Sequence, residues 1–447
     1  MHRNHRLILP FVLAAAACLG QTAGQGAAPD ETTQPSSDRA WNIHFQATSI
    51  GQHHGDFPSP YEGENSLPPH PESRVSITAT IFVNVRLYRH WDFVFDPELA
   101  GGKGFGDVTG IAGFPNGEIP RVAEATPMPY IARGFARYTI GFGPEVERMD
   151  NSPNQAAGFV PEKRLSLIAG KFAVSDFFDN NSYSHDPRTQ FMNWSIMYNG
   201  AWDYPAEIRG YTAGIVEELK MKSWTLRAAN VLEPTEANGP TLDARVGDNR
   251  GFVIEYEQRY SVAKHSGALR ILAFNNREDA GTYRESMRGP GQTPDLAATR
   301  HNGTQKYGFA VNFEQALSSD AGVFGRYGWN DGKTETWAFT EIDRTVSGGI
   351  LLHGSRWRRA GDTVGVGFAR NYLSGDHATF LAAGGYGFII GDGRLNYAPE
   401  QVREAYYALR IVKAWTITLD YQRIVNPAYN RDRGPVDVGS LRLHWER

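Results

Sequence analysis

A run of strict alternation between apolar and polar side chains, residues 74–87, limits what this chain can fold into. Its period of two residues is that of a β-strand with two different faces. The apolar face carries Val75, Ile77, Ala79, Ile81, Val83, Val85 and Leu87, and the polar face carries Arg74, Ser76, Thr78, Thr80, Phe82, Asn84 and Arg86. The run is longer than the usual strand of a soluble sheet and exceeds the ~9–11 residues that a tilted strand needs to cross a bilayer.

The same alternation recurs along the chain, for example in residues 132–142, 307–314 and 415–422. In the first of these segments Ala132 falls on the apolar side, and Arg133 and Arg137 fall on the polar side. Clusters of Gly, Asn, Asp and charged residues separate the alternating segments and indicate turns. The chain is therefore predicted to be an all-β protein built from hairpins.

Two architectures fit such strands. In a soluble sandwich the apolar face is the core, whereas in a transmembrane barrel it meets lipid and the polar face lines a lumen. Strand length favours the barrel, as do aromatic residues near strand ends, such as Trp415 with Tyr421 and Tyr327 with Trp329. Charged residues also keep to one face, as lipid exposure requires. We therefore expect an antiparallel outer-membrane barrel of roughly 16–18 strands, with inward-folded loops.

The two ends of the predicted barrel complement each other, because residues 41–48 and 440–445 both alternate. A closed barrel must pair its first and last strands, since an open edge cannot face hydrocarbon. Many outer-membrane barrels end on an aromatic residue, whereas this chain continues past Trp445 to Glu446 and Arg447. The first and last strands are nevertheless expected to pair.

Residues 1–24 have the pattern of a secretory signal peptide, with Arg3 and Arg6 ahead of an apolar run. Cys18, the only cysteine, is either a small apolar residue of that run or a lipidated residue. Residues 25–40 are polar and predict a flexible segment, and residues 41–447 make up the predicted barrel. A net charge of −4 gives no basic field for nucleic acid.

Four segments are long and unusual in composition: FPSPYEGENSL (57–67), GIAGFPNGEIPR (110–121), DFFDNNSYSHDPRTQFMNW (176–194) and NPAYNRDRGPVDVGSLRLHWE (426–446). With these segments the chain resembles the carbohydrate-selective porins of the OprB type, and the likeness covers the chain from about residue 41 onward. The resemblance implies an outer-membrane β-barrel of sixteen strands that passes sugars by passive or facilitated diffusion. Alternation predicts the barrel independently, but it does not indicate the sugar.

A sugar channel needs aromatic rings that stack on sugar faces and polar groups that replace hydration. The predicted lumen side supplies Arg74, Phe82, Asn84, Arg86, Arg133, Arg137, Arg227, Glu255, Glu257, Arg326, Asp420 and Arg442. Mixed charges suit neutral polyols better than one ionic sign does. The same side chains could instead form an ion-pair lattice that stiffens the wall, and Phe82 could pack beneath a loop instead of stacking on sugar.

The segment Tyr183–Ser195, YSHDPRTQFMNWS, crowds charged and aromatic residues together as an active site does. Pro187 argues against a central strand, so the segment is predicted to be an ordered loop folded toward the pore. Its polar residues, Asp186, Arg188 and Gln190, would fix the loop or meet sugar hydroxyls. Its aromatic residues, Phe191 and Trp194, would anchor the loop or stack on a sugar ring.

No sequence pattern indicates a catalytic residue, a metal site or a cofactor. The expected partners are small sugars as permeants, outer-membrane lipids, the barrel-assembly machinery and further copies in a homotrimer. Two other functions remain open. One is a general or organic-acid-selective porin, and the other is an exported protein that binds or modifies carbohydrate.

Overall fold

A computed structural model describes residues 40–447 of the chain, apart from 89, 120–124, 288, 290–291 and 340. The predicted signal peptide (1–24) and the predicted flexible segment (25–40, except residue 40) lie outside these described residues. The strands are β1 (Trp41–His54), β2 (Glu72–Leu87), β3 (Trp91–Gly102), β4 (Met128–Gly141), β5 (Val146–Met149), β6 (Gly158–Pro161), β7 (Arg164–Phe172), β8 (Thr212–Lys220), β9 (Trp224–Val231), β10 (Arg250–Val262), β11 (His265–Glu278), β12 (Thr304–Ser318), β13 (Ala321–Asn330), β14 (Arg344–His353), β15 (Thr363–Tyr372), β16 (Glu400–Val412), β17 (Trp415–Val425) and β18 (Val436–Glu446).

All strands of the described residues except β5 and β6 close into one antiparallel barrel of sixteen strands. β1 pairs with β18, which places Gln46 opposite Glu446 and His54 opposite Val438. β5 and β6 form a separate hairpin between β4 and β7. Closure leaves no open edge toward lipid. The predicted barrel, its sixteen strands and the pairing of its two ends are confirmed.

The two faces of the strands have the accessibilities of a barrel in lipid and not those of a sandwich. On β17, Leu419 on the apolar face is 64% exposed, whereas Thr418 and Asp420 on the polar face are 0% and 6% exposed. On β2, Val75 is 54% exposed and Asn84 is fully buried. Since the apolar side chains point outward, hydrocarbon and not bulk water is their natural surrounding.

One face assignment from the sequence is wrong. Ala132 was expected to lie on the outer side of β4, but it is fully buried, and Ile131 is the exposed residue. The register with β3 shifts here, because Asp96 lies opposite Arg133 while the next residue, Pro97, lies opposite Ile131. Proline has no N–H to give to the ladder, and a bulge accommodates it. The bulge inserts Ala132 and leaves Arg133 facing the lumen.

Loop lengths give the barrel its orientation. The long connections, all at one end, are residues 55–71, 103–127, 173–211, 232–249, 279–303, 331–343, 373–399 and 426–435. The opposite end has the short connections 88–90, 221–223, 263–264, 319–320, 354–362 and 413–414, together with the segment 142–163 that holds the β5–β6 hairpin. Outer-membrane barrels keep short turns in the periplasm and long loops outside, so the long-loop end is the extracellular end.

The helices of the described residues all lie in the connections. They are α1 (Trp194–Met197), α2 (Tyr283–Ser286) and α3 (Gly375–Ala382), with 3₁₀ turns at Phe105–Asp107, Val174–Asp176, Ala297–Thr299, Gly354–Trp357 and Pro427–Tyr429. None of the described helices has the length and apolar character needed to cross a membrane.

A buried histidine joins three of the extracellular loops. The Nδ1 atom of His377 lies 3.0 Å from Oδ2 of Asp343, and its Nε2 atom lies 3.7 Å from Oε1 of Glu341. The His377 ring stacks on Tyr283 with 4.2 Å between ring centres. Burial lowers the pKa of His377, but the carboxylates of Asp343 and Glu341 outweigh it and raise the pKa above its ordinary value. The charged imidazole therefore stabilises the loop cluster.

We predict that the loop cluster loosens at alkaline pH. Because the pKa of His377 is raised in the folded protein, its contribution is fully present below the unfolded value of about 6.5. It is lost as the pH rises through the folded value. Amide hydrogen exchange in α3, corrected for the intrinsic pH effect, should therefore be faster at pH 9 than at pH 6. The variant His377→Gln should lose this pH dependence; equal protection of the wild type at both pH values would contradict the prediction.

Candidate permeation site

The connection between β7 and β8, residues 173–211, runs inside the barrel and is attached to carboxylates of the wall. The backbone N–H groups of Met192 and Asn193 donate to the two carboxylate oxygens of Glu404, at 2.6 and 3.0 Å. On another part of the wall, Glu255 accepts from the N–H of Asp179 at 2.8 Å. A loop removed from water needs such partners for its backbone N–H groups.

A second loop is attached in the same way. Glu400, the first residue of β16, accepts hydrogen bonds from the N–H groups of Ala112 at 2.9 Å and Gly113 at 2.7 Å. Its Oε2 atom also accepts from the N–H of Ala428 at 2.9 Å. This single buried carboxylate therefore joins the loop 103–127, the loop 426–435 and the wall.

Two wall arginines bind the carbonyl groups of the loop 173–211. Arg326 donates to the carbonyl oxygens of Ile196 at 3.0 Å and Ser184 at 2.5 Å. Arg442 donates to those of Pro187 at 2.7 Å and Gln190 at 2.8 Å. Both arginines are buried, so they act as braces for the loop.

Within the segment Tyr183–Ser195, two of the polar residues fix the local backbone. Asp186 accepts from the N–H of Arg188 at 2.9 Å and from the hydroxyl of Thr189 at 2.7 Å. Although burial raises the pKa of Asp186, these hydrogen bonds lower it below its ordinary value. Gln190 accepts from the N–H of His185 at 2.8 Å and donates to the carbonyl of Ser182 at 2.8 Å. The segment is thus an ordered loop.

Arg188 joins this loop to the neighbouring wall strands β1, β2 and β3 and to the loop 103–127. Its Nε donates to Glu118 at 2.6 Å and its Nη2 to Glu98 at 2.9 Å. Its Nη1 donates to Gln46 at 2.7 Å and to Thr80 at 3.0 Å. Burial alone would lower the pKa of Arg188, but the two carboxylates raise it well above its ordinary value. The guanidinium therefore keeps its charge and ties the loop to the wall.

A second guanidinium lies beside it. Arg133, on β4, holds Asp176 through two hydrogen bonds of 2.7 and 2.6 Å. Its Cζ atom also lies 5.4 Å from the ring centre of Tyr211. A bidentate pair is rigid, so Arg133 presents its remaining donors in a fixed direction.

Stacked aromatic rings form the other part of the site. The rings of Trp194, Tyr204 and Phe339 are close to parallel, with centre distances of 5.0 Å (Trp194–Phe339), 4.8 Å (Tyr204–Phe339) and 5.7 Å (Trp194–Tyr204). Tyr198 meets Trp194 edge to face at 5.3 Å. Burial raises the pKa of Tyr198, so its hydroxyl stays protonated and can donate a hydrogen bond.

These groups surround a cavity of about 340 Å³, which we call the eyelet cavity. Its charged lining residues, among those the structure describes, are Glu98, Glu118, Arg133, Asp176, Asp186, Arg188 and Arg209. Aromatic groups line it as well: Phe82, Tyr130, Trp194, Tyr198, Tyr204, Tyr211 and Phe339. The cavity therefore combines aromatic surfaces with charges of both signs.

A second cavity of about 210 Å³, the exit cavity, shares Asp176 with the first. Its lining includes the wall residues Arg86, Arg137 and Arg227. Met149, Gln155, Ala156 and Val160, in and beside the β5–β6 hairpin, line it as well. This hairpin segment folds beneath the periplasmic opening, where Asn42 donates to Asn151 at 2.6 Å. The two cavities lie in series along the lumen.

The structure divides the residues proposed from sequence into three groups. The eyelet cavity is lined by Phe82, Arg133, Asp186, Arg188 and Trp194, and the exit cavity by Arg86, Arg137 and Arg227. The remaining residues, Arg74, Asn84, Gln190, Glu255, Glu257, Arg326, Asp420 and Arg442, line neither cavity. Most of these bind a loop or other wall residues, as Arg74 binds Glu72 and Glu257 binds Arg270.

Several lining residues were missed from the sequence. Tyr204 and Tyr211 follow the segment 183–195 within the same long connection. The high aromatic content of this connection could have indicated that they line the cavity. Phe339 comes from the loop 331–343, and nothing in its own neighbourhood of the sequence indicates a contact with Trp194. Among the described residues, no group of three or more His, Cys, Asp or Glu side chains could hold a metal ion.

Comparisons with known proteins show the family and the fold of the chain. Residues 131–446 match the family model described as carbohydrate-selective porin, OprB family. The structure is similar to that of OprB from Pseudomonas putida at high pH, with a TM-score of 0.67 and 13% identity over 91% of this chain and 94% of that chain. It is also similar to the outer-membrane channel DcaP of Acinetobacter baumannii, with a TM-score of 0.51 and 9% identity over 91% and 97% of the two chains. No curated protein sequence matches the chain.

We predict that Glu400 is essential for the loop arrangement. In the variant Glu400→Gln an NH₂ group replaces one acceptor oxygen, so at least one charged hydrogen bond to the loops is lost, at about 1.5–3 kcal/mol each. Hydrogen exchange at Ala112 and Gly113 should then accelerate. The exposed Glu64, changed to Gln, is the control and should leave the exchange unchanged. Wild-type protection of both amides in Glu400→Gln would refute the role.

Proposed function

Because the chain belongs to the OprB family of carbohydrate-selective porins, we propose that the eyelet cavity is its sugar-selective constriction. As an outer-membrane carbohydrate channel, the protein passes sugars across the barrel. The substrates we propose are monosaccharides or small oligosaccharides that enter from the extracellular end, pass Arg188 and leave through the exit cavity. The family and the fold are those of channels, and the proposed passage involves no covalent chemistry.

The observation that carries this proposal is the meeting of stacked rings and fixed charges across one cavity. Trp194 and Tyr204, each 4% exposed, contribute the parts of their rings that line the cavity, while Arg188 and Arg133 offer donors fixed by carboxylates. A sugar has apolar C–H faces and a rim of hydroxyl groups, so both halves of the cavity suit it. A volume of about 340 Å³ lies at the lower end of the ~300–1,000 Å³ usual for small-molecule sites. Binding there must stay weak enough for release.

The charge balance supports neutral sugars over organic acids. The described lining of the eyelet cavity has four carboxylates and three guanidinium groups. The arginines nearest the constriction are already paired, because Arg188 binds Glu98 and Glu118 and Arg133 binds Asp176. A free carboxylate permeant would meet no surplus of positive charge. An organic-acid-selective channel would need one.

The proposal includes the route to the membrane. A signal peptide in residues 1–24 would direct export, and the barrel-assembly machinery would insert the barrel. The exposed apolar band supports direct contact with outer-membrane lipids. A homotrimer remains a prediction, which the mass of the detergent-solubilised complex would check.

Proteoliposomes test the function directly. Flux of glucose should exceed that of an uncharged solute of equal size that lacks the hydroxylated ring. Sugars should also compete with the ion current in planar bilayers, and reversal potentials should show weak ion selectivity. Glucose flux equal to that of the size-matched solute would disprove the selectivity, and strong anion selectivity would favour the organic-acid channel.

We predict that Arg188→Ala widens the channel and weakens sugar binding. The substitution removes a guanidinium that lines the eyelet cavity and ties the loop to the wall, so single-channel conductance should rise. Block of the current by glucose should weaken about tenfold, as expected when a charged hydrogen bond is lost. Arg188→Lys keeps the charge but loses the fork-shaped donor geometry, and it should give an intermediate block.

The matched control for this experiment is Arg74→Ala. Arg74 is another arginine of the polar face, but it binds Glu72 near the extracellular end of β2 and lines neither cavity. Its removal should leave conductance and sugar block close to wild type. If Arg188→Ala and Arg74→Ala behaved alike, the eyelet role of Arg188 would be wrong.

We predict a separate contribution from Trp194. The variant Trp194→Ala removes a stacking surface and should weaken glucose block about three- to tenfold, from the ~0.5–1.5 kcal/mol typical of specific aromatic contacts. Trp194→Phe keeps a ring and should retain most of the block. Trp357→Ala, in an exposed periplasmic turn, is the control. A heat-modifiable, folded Trp194→Ala barrel with wild-type block would mean that Trp194 only anchors the loop.

A further inference from the structure

The outer surface of the barrel carries a row of arginines at the extracellular ends of four consecutive strands. Arg344 is the first residue of β14, and Arg370 lies near the end of β15. Arg403 lies near the start of β16, and Arg423 lies near the end of β17. Their strand positions are in phase with exposed apolar residues such as Phe368, so the side chains project toward the membrane. We call these four residues the arginine row.

Strand register places the members of the row beside one another. Arg344 lies opposite Tyr372, and Arg403 lies directly opposite Arg423. Like charges opposite each other destabilise a sheet unless an anion lies between them. Arg423 binds Asp437 at 2.8 Å, but no described carboxylate lies within ion-pair distance of the other three. The row therefore has more positive charge than the described protein groups neutralise.

The two arginines at one end of the row are held in place by an aromatic ring. The Cζ atoms of Arg344 and Arg370 lie 4.4 and 5.4 Å from the ring centre of Tyr372. Below them the surface is apolar, with exposed Phe368 and Val366. Guanidinium groups above an apolar, lipid-facing band stand at the level of lipid headgroups.

Outward-facing arginines at the extracellular end are most numerous on β14–β17, and a second pair, Arg250 opposite Arg277, lies on β10 and β11. The corresponding outward positions on β1, β2 and β3 are His53, Ser73 and Leu99, none of which is an arginine or lysine. Neighbouring strands are about 4.8 Å apart, and the register displaces Arg370 and Arg403 by two residues each along their strands. The row therefore spans about 20 Å, enough to meet more than one anionic group.

We propose that the arginine row binds the phosphate groups of a phosphorylated glycolipid in the outer leaflet. The long loops place the row at the extracellular side, and the outer leaflet of an outer membrane consists of phosphorylated glycolipid. Guanidinium groups bind phosphate through paired hydrogen bonds, and the acyl chains would lie along the apolar surface below. The row thus attaches lipid to the β14–β17 side of the barrel, independently of the sugar pathway.

Glycolipid binding to the purified full-length protein tests the proposal. The probes are bisphosphorylated lipid A and the same lipid after enzymatic removal of both phosphates, with retained lipid measured by native mass spectrometry and by titration. Arg370→Gln/Arg403→Gln should bind the phosphorylated lipid about 30-fold more weakly, from about fivefold for each arginine near an anionic surface. The single variant Arg403→Gln should show about fivefold. Wild type should lose most of its binding when the phosphates are removed.

The control is Arg356→Gln/Arg358→Gln, two exposed arginines in the turn that joins β14 and β15 at the periplasmic end. It makes the same change in net charge at the opposite end of the barrel and should bind lipid A as the wild type does. Equal affinity of the wild type, the Arg370→Gln/Arg403→Gln variant and the control variant for lipid A would overturn the proposal. Wild-type binding that is unchanged when the phosphates are removed would overturn it as well. Competition by inorganic phosphate at a concentration comparable to that of lipid A would identify a site for free anions. Loss of oligomer mass in the row variant would identify a contact between copies. Either result would also overturn the proposal.

Discussion

The arrangement of this channel depends on carboxylates of the barrel wall that accept hydrogen bonds from the backbone of inward-folded loops. A chain segment inside the lumen leaves bulk water, and its N–H groups then need partners. Glu400 supplies them for the loops 103–127 and 426–435, and Glu404 and Glu255 supply them for the loop 173–211. Two wall arginines, Arg326 and Arg442, bind carbonyl groups of the loop 173–211. The constriction therefore has the rigidity of the wall to which it is attached.

This dependence explains why some charged lumen residues brace loops and others line the eyelet cavity. Arg326 and Arg442 are buried against loop carbonyls and cannot meet a permeant. Arg188 and Arg133 carry the same functional group, but they line the eyelet cavity. The choice between a stiffening lattice and a sugar-contacting surface is thus made residue by residue. The loop backbone decides it, because loop carbonyls bury the guanidinium groups of Arg326 and Arg442 out of reach of a sugar.

Much of the fold could be predicted, because lipid exposure forces apolar and polar residues onto opposite faces of each strand. Ala132 is an exception because the register shifts at Pro97 on the neighbouring strand. Alternation within one strand does not show which residues of the neighbouring strand it pairs with. Of the eyelet, Arg188 and Trp194 lie in a segment whose composition was already unusual. Phe339 could not be found, since it reaches Trp194 only through the folding of a distant loop.

The sequence by itself determined the strand periodicity, the barrel and the side of each strand that faces lipid, because these follow from local alternation and the absence of water in the membrane. It also marked Tyr183–Ser195 as a loop directed at the lumen. Only the tertiary structure decided which charges brace loops and which line the cavities, because that depends on contacts between residues far apart in the chain. It also brought four arginines from four strands into one row, because the register between neighbouring strands sets which residues lie side by side.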